Sequence, residues 1–430
     1  MTSSSDPQRL DRADARLRRR YRAERLFQAS GVAAIAFAVG TLFLLLGTVV
    51  YQGTGAFVES VAVLPVALDA GALDPDGDRS PESLARGNYA SPVREALRAR
   101  FPEASGRREK RALAGLLSVG AEYDLRDFVL AHPEAIGTTV ERPLLLSDDA
   151  DLYVRGDVDV EVDESDRKVS DAQVAWLDAL VASGEVERRF NRRLFTSGDS
   201  REPELAGLQG AIRGSFLTLL VTLLLSFPIG VAAALYLEEF APRNRLTDFV
   251  EVNINNLAAV PSIVFGLLGL AVLLNFLGLP RSAPLVGGIV LALMTLPTVI
   301  IAGRAALSAV PPSIREAALG VGASHVQAVL HHVLPQALPG ILTGTIIGMA
   351  RALGETAPLL MIGMRAFVAT PPSGMTDPAS VLPMQIFLWS DEIDQAFVQN
   401  TSAAIIVLLV FLLAMNAVAI LLRRRFERRW

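Results

Sequence analysis

The sequence predicts an all-α polytopic membrane protein with six transmembrane helices and one soluble α+β insert between the first and the second helix. Three observations lead to this fold class. The 430 residues are 51% hydrophobic and 20% charged, which is more apolar and less charged than a typical soluble chain. Six stretches of the chain are long and apolar. The segment 52–208, between the first two stretches, holds 30 of the 45 acidic residues.

Each predicted transmembrane helix is a stretch of about 20 mostly apolar residues, the length that a helix needs to cross the hydrocarbon core of a bilayer. The first stretch lacks the small-residue pattern of a cleavage site, so we interpret it as an uncleaved anchor. The predicted helices cover residues 29–51, 211–237, 257–279, 284–302, 337–363 and 402–422.

Arginine near the helix ends predicts the orientation. Residues 1–28 form an Arg-rich N-terminus and residues 423–430 an Arg-rich tail, and the positive-inside rule places both in the cytoplasm. Residues 52–208 are then extracytoplasmic; their net charge is −11, against +6 for the rest of the chain and −5 in total. The negative total does not suggest nucleic-acid binding.

We call residues 52–208 the insert. Apolar residues have helical spacing over 91–120 and 170–195, whereas 152–162 alternates apolar with charged residues and predicts a half-buried strand. The segment 65–81 is rich in Asp, Gly and Pro and predicts a loop. The insert is therefore predicted to be a small acidic α+β domain.

The composition excludes several kinds of site. The chain has no Cys and four His, and its Asp-rich tract 148–166 lacks the ligand order of an EF-hand, so no metal site is predicted. Its two lysines, Lys110 and Lys168, do not stand in the Gly-Lys-Ser/Thr context of a phosphate-binding P-loop. No H-E-x-x-H or G-x-S-x-G motif of an intramembrane enzyme occurs either. We predict no catalytic residue, and we expect any ATP hydrolysis to occur in another chain.

The 308–336 loop, between the fourth and fifth predicted helices, is predicted to be cytoplasmic. Its prolines at 311 and 312 favour a helix start, a glycine turn follows, and Ser324 is a predicted N-cap of a second helix that ends before Pro335. A helix–turn–helix on a membrane face suits the docking of another protein. An ordinary interfacial helix pair is the alternative interpretation.

The 308–336 loop resembles the EAA loop of ABC importer permeases. The spacing in that family is E-A-A-x3-G-x9-I-x-L-P, and His332 stands here in place of the Ile. The resemblance implies that the loop docks on an ATPase subunit. The positions that match are Glu316, Ala317, Ala318, Gly322, Leu334 and Pro335.

Three further segments, 260–270, 296–300 and 350–360, are similar to PstA-type permeases of phosphate importers. The resemblance implies the ABC importer permease fold in a bacterial inner membrane, with inorganic phosphate as the substrate. It also implies a PstC-like second permease, a PstB-like ATPase dimer that binds ATP and Mg, and a PstS-like extracytoplasmic phosphate-binding protein, with no cofactor in this chain. The insert is longer than the loop typical of that family.

The fifth predicted helix carries the predicted substrate pathway. Gly344, Gly348, Arg351 and Glu355 have spacings that place them on one helix face. The glycines allow a neighbouring helix to come close. An Arg within a membrane is costly unless it faces an interior, and its forked guanidinium matches an oxyanion. Glu355 can pair with Arg351 when no anion is bound; a purely structural ion pair is the alternative.

Two other functions stay open at this point. One is the same architecture with another oxyanion as substrate, or with the chain in the place of the PstC-like permease. The other is a membrane-anchored sensor with an extracytoplasmic ligand-binding domain. The spacing of the EAA-like residues argues against a sensor, because a sensor does not need to dock on an ATPase.

Overall fold

The computed structural model describes residues 7–365 and 367–426. Of the predicted Arg-rich termini, residues 1–6 and 427–430 lie outside the described part. The chain divides into two compact units, residues 1–52 and 53–430. The first unit is helical: helix α1 runs from Pro7 to Gly53 and contains the predicted stretch 29–51.

The insert is built around an antiparallel sheet with strand order β2-β1-β3. The central strand β1 (Val58–Ala67) pairs with β2 (Thr139–Leu145) on one side and with β3 (Val186–Phe190) on the other. The middle of β1 is buried, which places it at the core of the domain. Alternate residues of β1, at 60, 62, 64 and 66, are buried, whereas 65 and 67 are exposed, as expected for an antiparallel sheet with one face on the core.

Short helices cover the sheet. Together with the strands they enclose a core of buried aliphatic side chains such as Leu64, Leu97 and Leu177. The helices are α2 (Ala70–Leu73), α3 (Pro81–Ala85), α4 (Ala90–Arg100), α5 (Arg107–Ala114), α6 (Val119–Ala131), α7 (Asp148–Arg155), α8 (Asp171–Ala182) and α9 (Arg193–Thr196).

The strand predicted at 152–162 is wrong. Helix α7 occupies its first residues, because three aspartates in the first turn of that helix favour the positive end of the helix dipole. Gly156 ends the helix in the left-handed region, with φ +84°. The loop predicted at 65–81 is also partly wrong, since β1, α2 and α3 extend into it.

The second part of the larger unit is a bundle of long apolar helices, in which the described residues include three π-helical turns. The helices are α10 (Gln209–Leu235), α11 (Arg245–Ala258), α12 (Ser262–Leu268), α13 (Pro284–Ser308), α14 (Pro312–Gly320), α15 (His325–Ala328), α16 (Leu334–Gly354), α17 (Ala357–Met361), α18 (Leu382–Ser390) and α19 (Gln395–Phe426). The π-helical turns cover Tyr236–Phe240, Gly269–Phe276 and Val329–Val333.

Among the described residues, five helices are long and apolar enough to cross a membrane. A sixth crossing is possible where Arg245–Ala258 and Ser262–Phe276 meet at a bend of 102°. This bent pair overlaps the predicted stretch 257–279. The five helices are Arg20–Phe57, Gln209–Phe240, Pro284–Ser308, His325–Gly354 and Gln395–Arg425.

Helix α13 packs against both α10 and α16. Small residues make this possible: a Cβ atom at Gly288 would lie 2.8 Å from the carbonyl oxygen of Thr218 on α10. The hydroxyl of Thr222 donates to the carbonyl oxygen of Gly288 at 3.2 Å. Close helix contacts through small residues and interhelical hydrogen bonds are typical of helices in membranes.

Candidate functional site

The 308–336 loop folds as a helix, a turn and a second helix. Helix α14 begins at Pro312, as predicted, and Gly322 adopts φ +90° in the turn, a conformation that a residue with a side chain rarely takes. The hydroxyl of Ser324 accepts a hydrogen bond from the amide of Gln327 at 3.3 Å, which confirms the predicted N-cap.

The predicted end of the second helix before Pro335 is wrong. The chain stays helical from His325 to Gly354. The π-helical turn Val329–Val333 lies directly before the proline. A proline inside an α-helix leaves one backbone hydrogen bond unmade and crowds the preceding turn, and the wider π-helical turn accommodates the chain at this point.

The tip of the 308–336 loop exposes both apolar and charged side chains. Glu316 and Ala317 are exposed, whereas Ala318 is buried beneath them. Val321 is 85% exposed, and Leu319 also lies open on the surface. Gly322 is exposed, and Leu334 and Pro335 are half-buried where the loop meets α16. Adjacent exposed apolar side chains are typical of a surface that contacts another protein.

Behind the exposed tip, Arg315 forms a dense set of hydrogen bonds that sequence reasoning missed. Its Nε donates to the two carboxylate oxygens of Glu239 at 3.2 and 3.1 Å, and its Nη2 donates to the same carboxylate at 2.5 Å. The hydrogen bond with Glu239 raises the pKa of Arg315 above its usual value. The side chain of Glu239 is only 5% exposed. We call this contact, between the 308–336 loop and the end of helix α10, the loop seam.

A second arginine lies at the same end of the bundle. Arg304, on α13, donates to Glu251 of α11 at 2.8 Å and to Glu238 at 3.4 Å. The acidic pair Glu238-Glu239 directly follows an apolar helix, and this pattern could have indicated ion pairs here, because buried carboxylates need partners. The partners are 53 to 76 positions away in the sequence, so the pattern alone could not name them.

The two predicted glycines of the fifth helix face α13. A Cβ atom at Gly344 would collide with the side chain of Ala302, and one at Gly348 would lie 2.8 Å from the Cγ2 atom of Thr295. Both glycines are buried. The structure therefore brings α16 and α13 into close backbone contact at these positions.

Arg351 and Glu355 are close to each other but not on one helix. Arg351 Nε lies 3.4 Å from Glu355 Oε1, and the two side chains are 56% and 20% exposed. Helix α16 ends at Gly354, and Glu355 is extended with ψ 118°. The prediction that a continuous helix 337–363 carries Glu355 is thus wrong. Pro358 has no amide hydrogen to donate to the carbonyl of Gly354, which favours an end to the helix at this point.

The insert also contacts the helical bundle, and sequence reasoning missed this contact as well. Lys168 Nζ lies 2.7 Å from an oxygen of Asp394, just before α19, and 3.5 Å from Asp149. Burial and the nearby carboxylates of Asp149, Asp394 and Glu204 raise the pKa of Asp148 to about 7. Burial alone would raise the pKa of Asp394, but hydrogen bonds from Lys168 and other groups lower it.

Two further hydrogen bonds extend this contact. The indole nitrogen of Trp389, on α18, donates to Asp199 at 3.0 Å. The amide of Gln399, on α19, donates to Asp157 at 2.9 Å. We call the whole contact between the insert and residues 385–400 the insert seam. It holds the insert against α18 and α19.

No three His, Asp or Glu side chains of residues 7–365 and 367–426 come together in a way that would hold a metal ion. Both seams are instead made of ion pairs between carboxylates and Arg or Lys.

Comparison with known proteins adds two family matches. Residues 226–430 match the family of binding-protein-dependent transport system inner membrane components, and residues 14–164 match a domain of unknown function, DUF3333. The first match contains the 308–336 loop and all the predicted pathway residues.

The chain is also similar to individual proteins. It is 30% identical to a probable ABC transporter permease, YqgI, of Bacillus subtilis, over 56% of this chain and 86% of that protein. It is 34% identical to the phosphate transport system permease protein PstA 2 of Mycobacterium bovis, over 52% of this chain and 74% of that protein. Among solved structures, the inward-facing MetNI methionine ABC transporter overlaps 51% of this chain and 98% of that chain, at 19% identity and a TM-score of 0.40.

Proposed function

Because the chain belongs to the binding-protein-dependent transport inner membrane components, and within them to the PstA-type permeases, we propose that it is the membrane subunit of an ATP-driven importer of inorganic phosphate. It is a multi-pass inner membrane protein. The family is one of transporter permeases, whose ATPase is a separate subunit. The substrate is proposed from the names of the PstA relatives and from the chemistry of Arg351.

The shape of the 308–336 loop is the observation that carries this proposal. Its exposed tip presents Glu316, Leu319 and Val321 within one short stretch of chain, which offers an ATPase subunit two apolar side chains and one charge. The chain has no P-loop of its own. A PstB-like ATPase dimer that binds ATP and Mg is the partner that fits this surface.

The proposed orientation follows from the distribution of charge. We place both termini and the 308–336 loop in the cytoplasm and the insert outside it. The Arg-rich termini and the net charge of −11 on the insert support this arrangement. Six crossings, with the bent pair counted as one, would bring both ends of the chain to the same side.

We place the substrate pathway along the end of α16. Arg351 presents an exposed guanidinium that can bind an oxyanion with two parallel hydrogen bonds. Glu355, 3.4 Å away, neutralises that charge when no anion is bound and would oppose an anion that binds too tightly. A PstC-like permease would complete the pathway, and a PstS-like binding protein would deliver phosphate from outside. ATP-driven closure of the ATPase dimer would switch the pathway between its two openings.

The test is uptake by the assembled importer in vesicles. Arg351→Ala should lower phosphate uptake by roughly a hundredfold, because a hydrogen-bonded charge is removed from the anion, while the ATPase subunits stay bound. Arg365→Ala is the matched control, since Arg365 is an exposed arginine on the segment that follows α17. Normal uptake by the Arg351 variant would refute its role in the pathway.

The same vesicles test the substrate. Unlabelled phosphate should compete with labelled phosphate for ATP-dependent uptake, and sulfate or molybdate should not. Competition by sulfate or molybdate, and not by phosphate, would assign the importer to another oxyanion.

A further inference from the structure

Both arms of the 308–336 loop meet the same turn of the bundle. That turn is the π-helical segment Tyr236–Phe240, which ends helix α10. Arg315 reaches its Glu239 from α14, and His325 Nε2, at the start of α15, lies 3.0 Å from the backbone oxygen of Glu239. The ring of Phe240 meets the ring of His325 edge-on at 5.2 Å. The loop is thus fastened to the turn from two sides.

Arg315 also binds the end of a second long helix. Its Nη2 donates to the carbonyl oxygen of Leu307 at 3.0 Å, and its Nη1 donates to that of Val310 at 2.7 Å. Leu307 lies in the last turn of α13, and Val310 follows that helix. One guanidinium therefore joins three elements, namely α14 of the loop and the neighbouring ends of α10 and α13.

Breaking the contacts of Arg315 would require a large free energy. Glu239 is almost fully buried, and a buried carboxylate that loses its partner is strongly unfavourable. The carbonyl oxygens at the end of α13 would also lose donors. When the loop moves, the ends of α10 and α13 must therefore move with it.

Neighbouring residues of α14 face opposite ways. Glu316 is exposed at the tip, whereas Arg315 is half-buried in the joint. A force applied to the exposed side of this short helix therefore reaches the bundle through the side chain that precedes Glu316.

We propose that Arg315 is the positioning residue that transmits movement of the 308–336 loop to helices α10 and α13. The proposal rests on the proposed function, in which an ATPase dimer docks on this loop. It adds a role that the loop surface alone does not define: Glu316 and its exposed neighbours bind the ATPase, and Arg315 converts that binding into movement of the helices.

The experiment measures the number of phosphate ions imported per ATP hydrolysed by the complete importer in vesicles. In the double variant Arg315→Gln/Glu239→Gln, the side chain at 239 keeps its shape, the one at 315 becomes shorter, and no buried charge is left unpaired. We expect the ATPase subunits to co-purify in the normal ratio and to hydrolyse ATP, while import per ATP falls about tenfold. Arg315→Lys keeps the positive charge but not the forked guanidinium, and should give an intermediate number of phosphate ions imported per ATP.

Arg304→Gln is the matched control. Arg304 lies at the same end of the bundle, but its ion pairs are with Glu238 and Glu251 and not with a carboxylate of the 308–336 loop. It should leave import per ATP unchanged. An unchanged ratio in the double variant would overturn the proposal, and so would loss of the ATPase subunits from it. Failure of the unmodified protein to bind an ATPase would instead refute the proposed function.

Discussion

The loop seam and the insert seam both attach a protruding element to the helical bundle, but the balance of positive and negative groups differs between them. In the loop seam, one arginine satisfies one buried carboxylate, Glu239, and two backbone carbonyls. In the insert seam, several carboxylates crowd around one lysine, and the pKa of Asp148 is raised to about 7.

The difference concerns how each seam responds to its surroundings. Arginine stays protonated at every physiological pH, so the charge of Arg315 in the loop seam does not vary with pH. The insert seam contains a carboxyl group that changes its charge near neutral pH. The same fold thus contains one contact whose arginine charge is independent of pH and another whose charge changes near neutral pH.

The largest effect is expected from breaking the loop seam. Glu239→Ala leaves Arg315 without its main partner, and we expect local opening of α14 to become easier by about 3 kcal/mol. Hydrogen exchange of the amides in 312–324 should then be roughly a hundredfold faster. Glu251→Ala, which removes the more exposed partner of Arg304, is the control. Equal exchange in both variants would mean that the loop seam is no stronger than an ordinary ion pair.

The second effect is the pH dependence of the insert seam. Burial and neighbouring carboxylates, among them Asp394 of the bundle, raise the pKa of Asp148 above its ordinary value of 3.8, so contact between the insert and the bundle favours the protonated form of Asp148. The contact is most stable below about pH 4 and loses stability as the pH rises through about 7. We expect a change of about 1 kcal/mol, because the group is partly exposed and solvent screens it.

Spin labels can measure this change, because the chain has no native cysteine. Labels at Ala182→Cys in the insert and Val398→Cys on α19 occupy exposed positions. The distribution of distances between them should be narrow at pH 5 and broader at pH 8. Asp148→Asn should remove the difference. Identical distributions at both pH values in the unmodified protein would contradict the raised pKa.

The smallest effect is expected from Lys168→Gln. Lys168 is 55% exposed, and exposed ion pairs contribute less than about 1 kcal/mol. Its charge interacts favourably with the carboxylate of Asp148, so without it the pKa of Asp148 should rise further and the spin-label distances should change at a higher pH. Lys110→Gln, at the other lysine, which is exposed on α5, should have no effect. If the spin-label distances changed with pH in the same way in both variants, Lys168 would not contribute to the insert seam.

The features that the sequence predicts well depend on local patterns. Runs of apolar residues locate the long helices, and the spacing around Gly322 locates the turn of the 308–336 loop. The ends of helices were less predictable: the hydropathy of 337–363 is continuous, yet the glycine and proline at 354 and 358 end helix α16. Continuous hydropathy does not report where a backbone hydrogen bond is lost.

Neither seam could be predicted, because its partners are far apart in the sequence. Arg315 and Glu239 are 76 positions apart, and Lys168 and Asp394 are 226 positions apart. Only the folded chain brings these charges together. The wrong strand at 152–162 has a different cause: its alternation of apolar and charged residues begins inside α7, whose first-turn aspartates precede that segment.

The continuous helix from His325 to Gly354 has a mechanical consequence. It joins the second arm of the 308–336 loop to Arg351 without a break. At 1.5 Å per residue, the distance along this helix from His325 to Arg351 is about 39 Å. Such a helix acts as a lever, since a tilt of about 5° at the loop would displace Arg351 by roughly 3 Å. Because Glu355 directly follows this helix, such a tilt would carry the Arg351–Glu355 pair as a unit past the neighbouring helices, so a small rotation at one end of the helix is enough to reposition the pair at the other.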